Sequence, residues 1–125
     1  MIRRMHGDRG LSGGVQLTLL FPLAFTMLML TLQWGLSAWA DATALAAAQD
    51  GARVAAALGG NVDGGLTTAR QAAANGALTD VNVEVERGMR HTTVTVMGRA
   101  LAVIPGWNPE VNKTVRTPTE RLTRS

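Results

Sequence analysis

The sequence predicts an α+β protein. A single N-terminal transmembrane helix continues into a long Ala-rich helix, and a short helix and a small three-stranded antiparallel sheet follow. Three observations carry that prediction. Residues 15–40 contain no Asp, Glu, Lys, Arg or His. Residues 41–58 are rich in Ala and lack Pro, so they extend the helix beyond the apolar run. After residue 80 the apolar positions recur every second residue instead of every third or fourth. The chain thus divides into a basic cytoplasmic leader (1–10), a membrane helix with its extracytoplasmic extension (11–58) and a small αβ cap (59–125).

The charge-free run is 26 residues long. As a helix it would rise about 39 Å at about 1.5 Å per residue. The hydrocarbon core of a bilayer, about 30 Å thick, needs about 20 apolar residues. A chain of 125 residues could hardly surround such a helix on all sides, which argues against a soluble core helix. Arg3, Arg4 and Arg9 stand before the run against Asp8 alone, and the first charge after it is Asp41. That asymmetry places the N-terminus in the cytoplasm and the rest outside. Trp34 and Trp39 fall near the outer end, where indole rings favour the headgroup region. Pro22 removes one N–H from the helix, and Gln16 and Gln33 each bring an amide that must be satisfied by another helix or at an end of the span.

Beyond the run, Ala40, Ala44, Ala48, Ala52 and Ala56 recur every four residues. This stripe of small side chains would let another helix approach closely. Asp50 and Arg53 are spaced to pair on the helix surface. Residues 59–65 (GGNVDGG) read as a loop, and residues 66–76 as a short helix capped by Asp63 or a nearby Gly and ended at Asn75 and Gly76. In residues 80–86, Val81, Val83 and Val85 would share one face, with Asn82, Glu84 and Glu86 on the other. Residues 87–90 (RGMR) form a turn, and residues 92–97 return as the second strand of a hairpin. The apolar residues that follow, stopped by Pro105 and Gly106, are too few to cross a membrane. They are expected to cover the sheet, with Trp107 able to touch lipid. Residues 110–116 supply the third strand, and the polar end frays.

Composition excludes several chemistries. Without cysteine there is no disulfide, thiolate metal site or thiol nucleophile. No phosphate loop, dinucleotide fingerprint or HExxH pattern is present, and Gly13-Gly14 and Gly59-Gly60 lack the Lys that a phosphate loop requires. Glu84 and Glu86 read as a solvated strand face and His91 as a surface residue. No catalytic, cofactor or metal role is therefore assigned. The net charge is +3, but Asp and Glu are interspersed among most of the basic residues, and no basic run for nucleic acid forms.

From Arg9 and Gly10 to Arg53 the chain resembles the TadE family, small pilin-like proteins of the tight-adherence (Flp-type) pilus and secretion machinery. The family pattern has a basic leader ending in Arg-Gly, a Glu, an apolar helix with Pro six residues after that Glu, and later Glu-Gly-Ala-Arg followed by alanines. Here Arg9 and Gly10 end the leader, Gln16 stands at the Glu position and Pro22 lies six residues beyond it. Asp50, Gly51, Ala52 and Arg53 precede Val54, Ala55 and Ala56. Weaker likeness continues at residues 93–96, 101–106 and 118–121. The resemblance implies a pilin-like fold and a non-enzymatic minor pilin or pseudopilin. Its implied partners are the bilayer, other pilin-like subunits, pilus assembly proteins and a prepilin peptidase. Gln16, Pro22, Trp34, Trp39, Ala44, Ala48, Ala52, Asp50 and Arg53 would make the membrane helix and its assembly face. Leader processing would fall at Gly10 or Leu11. Two departures stand out. Gln16 lacks the charge that the family's Glu is thought to offer a neighbouring N-terminal ammonium. It also lies six residues after Gly10, where the family usually has five. Either one residue is inserted, cleavage falls after Leu11, or the leader is retained. A competing reading takes Ala38, Trp39 and Ala40 as a signal-peptide cleavage site, releasing a secreted binding module that begins at Asp41.

Overall fold

The computed structural model describes the backbone of residues 2–121 and the side chains of residues 14–121. The element order is α1 (Ile2–Ala56), α2 (Val62–Ala73), β1 (Leu78–Arg87), β2 (His91–Ala100) and β3 (Glu110–Pro118). The chain divides into two compact units, Met1–Leu32 and Gln33–Ser125.

The first unit is helix throughout its described backbone. Its large side chains are exposed, with Phe21 at 75% and Leu17 at 70%. Its three threonines satisfy their own hydroxyls. Thr18, Thr26 and Thr31 donate their hydroxyls to the carbonyls of Gly14, Pro22 and Met27, at 2.8, 2.7 and 2.9 Å. Back-bonding of this kind hides a hydroxyl from a solvent that cannot accept it. The helix runs on through Pro22, whose missing N–H leaves the carbonyl four residues earlier without its usual donor.

In the second unit, three antiparallel strands form a meander in the order β1-β2-β3. Its inner face carries Val83, Val94, Val96 and Val111, all 5% exposed or less. These pack in one cluster with the buried alanines of α1 and with Ala69 and Ala73 of α2. Among the described residues, nothing larger than Val, Thr or Leu is buried there apart from Gln33. Close approach of backbone to backbone therefore replaces bulky side chains as the means of excluding water.

Glycine makes the closest approach possible. A Cβ at Gly51 of α1 would lie 2.9 Å from Ala69 Cβ and 3.0 Å from the Gly65 carbonyl oxygen. One at Gly65 of α2 would lie 2.7 Å from Ala55 Cβ. The two helices touch at paired glycines.

Three local details differ from the sequence expectations. α2 begins four residues early, inside the expected loop, because Asn61 rather than Asp63 caps it. The Asn61 Oδ1 accepts from the Gly64 N–H at 2.6 Å, and the close seat of Gly65 against Gly51 and Ala55 of α1 supports a first turn weakened by glycine. β1 is not regular throughout: an extra residue enters it between Thr79 and Asn82. Asp80 takes up that bulge at φ 52°, and Val81 is left 38% exposed. Residues 101–109 form a loop that returns to α1, not a lid on the sheet.

Candidate membrane anchor and helix clasp

Gln33 is the polar centre of the second unit's N-terminal end. It is 1% exposed, and among the described residues it is the largest fully buried side chain. Its amide reads both polarities of the β2–β3 loop. The Nε2 donates to the Leu101 carbonyl at 3.0 Å, and the Oε1 accepts from the Val103 N–H at 2.9 Å and the Ile104 N–H at 3.4 Å. Only a primary amide of this length could serve a donor and an acceptor from one rotamer. The residue that the sequence singled out as needing a partner finds one in its own chain.

A second set of contacts closes the other end of the helix. The last carbonyls of α1 lack intrahelical donors and carry the negative end of its dipole. Arg87 at the end of β1 donates from Nε to the Ala55 carbonyl at 2.8 Å and from Nη2 to the Ala57 carbonyl at 3.4 Å. The Glu120 N–H donates to the Ala56 carbonyl at 2.7 Å, and the Leu58 N–H donates to the Glu120 carboxylate at 3.2 Å. Thr119 locks that segment down. Its hydroxyl donates to the Gly88 carbonyl at 2.8 Å and accepts from Thr92 at 2.7 Å, while its N–H reaches the Arg90 carbonyl at 2.9 Å. The residues after β3, expected to fray, are thus tied to the helix end as far as Glu120. Arg87→Ala is expected to destabilise the second unit by about 1–2 kcal/mol, since charge-assisted bonds to partly exposed carbonyls are lost. Arg87→Lys should recover only part of this, because an ammonium lacks the planar fork that spans two carbonyls. Urea unfolding of the detergent-solubilised chain checks both.

The residues of the expected assembly face lie in several settings. Gln16 and Pro22 are exposed on the apolar helix, and Trp34 and Trp39 are exposed at 77% and 44%. Asp50 and Arg53 pair at 3.7 Å on the surface. Ala44, Ala48 and Ala52, expected to admit a neighbouring helix, are covered by this chain's own sheet and α2. The close approach that the stripe permits is already used. Gly10 and Leu11 belong to the residues whose side chains lie outside the described part. Sequence reading gave Gly51 a place only in the Asp50–Arg53 motif and assigned no role to Arg87 or Thr119. Gly51 had a signal, since Ala47, Gly51 and Ala55 continue a second small-residue row beside the first; the other two depend on which strand ends meet the helix end.

Among the described residues, no group of three His, Cys, Asp or Glu side chains could hold a metal. Among the described residues one helix is long and apolar enough to cross a membrane, and none of its apolar window is buried. Fold and site together define an α+β protein with one N-terminal helix fit to cross a membrane. Residues 14–53 match the family model of TadE-like protein, the family that the sequence resembles. The match takes in Gln16, Pro22, Gln33 and Gly51 and ends at Arg53. No curated protein and no solved structure matches the chain.

Proposed function

We propose that this chain is a minor pilin or pseudopilin-like subunit for a tight-adherence pilus or a related secretion machine. α1 holds it in the bacterial cytoplasmic membrane, with the N-terminus in the cytoplasm and the sheet outside. The observation that carries this reading is the uncovered apolar helix within the TadE-like stretch. The second unit buries its own alanine face, so the helix up to Leu32 is the surface left for lipid and for the helices of other subunits.

Gln16 then takes the position of the family's Glu. An amide can hydrogen-bond a neighbouring subunit's N-terminal ammonium, more weakly than a carboxylate. Processing by a prepilin peptidase at Gly10 or Leu11 would create that ammonium. Retention of the whole helix is favoured by Gln33. Cleavage after Ala40 would remove it and leave the Leu101 carbonyl and the Val103 N–H without their partner, at about 1–3 kcal/mol for each group so orphaned.

The test is the intact mass and N-terminal sequence of the protein extracted from membranes. A start at Leu11 or Ser12 is expected. A start at Asp41 would overturn the role in favour of a secreted module, and an unprocessed chain would reduce it to an anchored accessory protein.

A further inference from the structure

The loop that Gln33 holds has a composition unlike the rest of the second unit. Residues 101–107 read LAVIPGW and carry no charge. Val103 and Trp107 are exposed at 39% and 49%, and Ala102 and Pro105 are exposed as well. An exposed apolar loop of this kind on a small unit calls for an apolar environment.

Its position identifies which environment. Counted from the start of the charge-free run, a crossing of about 20 residues ends close to Gln33 and Trp34. The run itself continues to Ala40. Gln33 therefore fixes the loop at a level inside the apolar run and not beyond it. All three tryptophans of the chain, Trp34, Trp39 and Trp107, belong to this helix segment and this loop. Tryptophan is the residue enriched at the boundary between hydrocarbon and headgroups.

Part of the loop's backbone finds partners within the protein, as the hydrocarbon side of such a boundary requires, and the headgroup side supplies water to the rest. The Leu101 carbonyl and the Val103 and Ile104 N–H groups are taken by Gln33. The Ile104 carbonyl accepts from the Trp107 N–H at 3.1 Å, and Pro105 has no N–H to satisfy. At the loop's base the Ala100 N–H donates to the Pro109 carbonyl at 2.9 Å. The charges resume immediately outside, at Arg99 and Glu110.

We propose that residues 101–107 are a second membrane contact: the β2–β3 loop lies in the outer-leaflet interface, and Gln33 sets its depth. This rests on the anchoring of α1 in a bilayer. Two contacts, one a span and one an interfacial loop, would restrain rotation of the sheet about the helix axis, which a lone span leaves free.

The full chain, reconstituted in phosphatidylcholine vesicles, provides the test. Because the chain has no cysteine, Ala102→Cys carries an environment-sensitive fluorophore at one site. Emission shifted to the blue and quenched more strongly by bromines near the headgroups than by bromines at the bilayer centre is expected. The shift should diminish when Gln33→Ala is added. Trp107 alone, in the Trp34→Phe/Trp39→Phe background, gives a second readout free of the label. A fluorophore quenched by aqueous iodide and not by lipid bromines would overturn the proposal. So would one shielded from both, which would mean that protein and not lipid covers the loop. Flotation of the same samples separates the two claims. Failure to float with vesicles overturns the anchor and the loop together, whereas flotation without lipid quenching overturns the loop alone.

Discussion

Gly51→Val is expected to unfold most of the second unit while leaving the apolar helix intact. Its Cβ would sit 2.9 Å from Ala69 Cβ and 3.0 Å from the Gly65 carbonyl oxygen, with Val94 Cγ1 at 3.4 Å. One neighbour is backbone and another is a methyl attached directly to backbone, so neither can swing aside. Overpacking a tight core costs about 1–3 kcal/mol for small insertions, and a β-branched side chain here meets α2 and the sheet at once. Since a unit this small has little stability in reserve, a loss of that size or more removes a large part of it. Helix propensity works in the opposite direction, because Gly costs about 1 kcal/mol relative to Ala in a helix interior. The contest between the two terms is read by comparing Gly51→Ala with Gly35→Ala. A Cβ at Gly35 meets nothing within 4 Å. Gly35→Ala should therefore be neutral or stabilising, and Gly51→Ala destabilising despite the better propensity. Thermal unfolding by circular dichroism in detergent measures both, at about 4–8 °C per kcal/mol for a domain of this size. Equal shifts for the two alanines would show that Gly51 is not a crossing point.

The apolar helix and the sheet were legible because each follows a short-range rule. The absence of charge over residues 15–40 and the alternation through Val94 and Val96 can be read without knowing what they touch. The alanine stripe was visible too, but its partner was not. Small residues every four positions state that something approaches closely; whether it is a neighbouring subunit or the chain's own sheet depends on long-range packing. Here the sheet and α2 occupy it. Val81 shows the same limit on a smaller scale. Its alternation with Val83 is legible as a pattern, but the bulge beside it at Asp80 is not, nor that Val81 stays 38% exposed where Val83 is 5% exposed. Gln33 lay between these cases. A glutamine in an apolar run announces a need for partners, and the loop that meets the need comes from about 70 residues further along the chain.

Leu28→Arg tests the other half of the molecule, and its effect should depend on depth. Leu28 is 53% exposed and lies in the first unit, so the substitution spares the buried core of the second. Midway along the apolar run an Arg costs about 2.5–3.5 kcal/mol for insertion, where the Leu it replaces contributes favourably by about half a kcal/mol. A swing of that size shifts partition by about two orders of magnitude or more. The margin available to absorb it is narrow, because Thr18, Thr26, Thr31 and Pro22 dilute the leucines of this helix. Leu28→Arg should accordingly leave most of the protein out of the membrane fraction after alkaline extraction. Leu17→Arg, near the start of the run, should not. Its guanidinium can reach the headgroups along its own side chain and joins the arginines already on that side. Loss at residue 28 with retention at residue 17 is what a spanning helix requires. An amphipathic helix lying flat in the interface would make no such distinction between two leucines exposed at 53% and 70%, and equal retention of both variants would remove the span, and with it the anchor on which the pilin-like role depends.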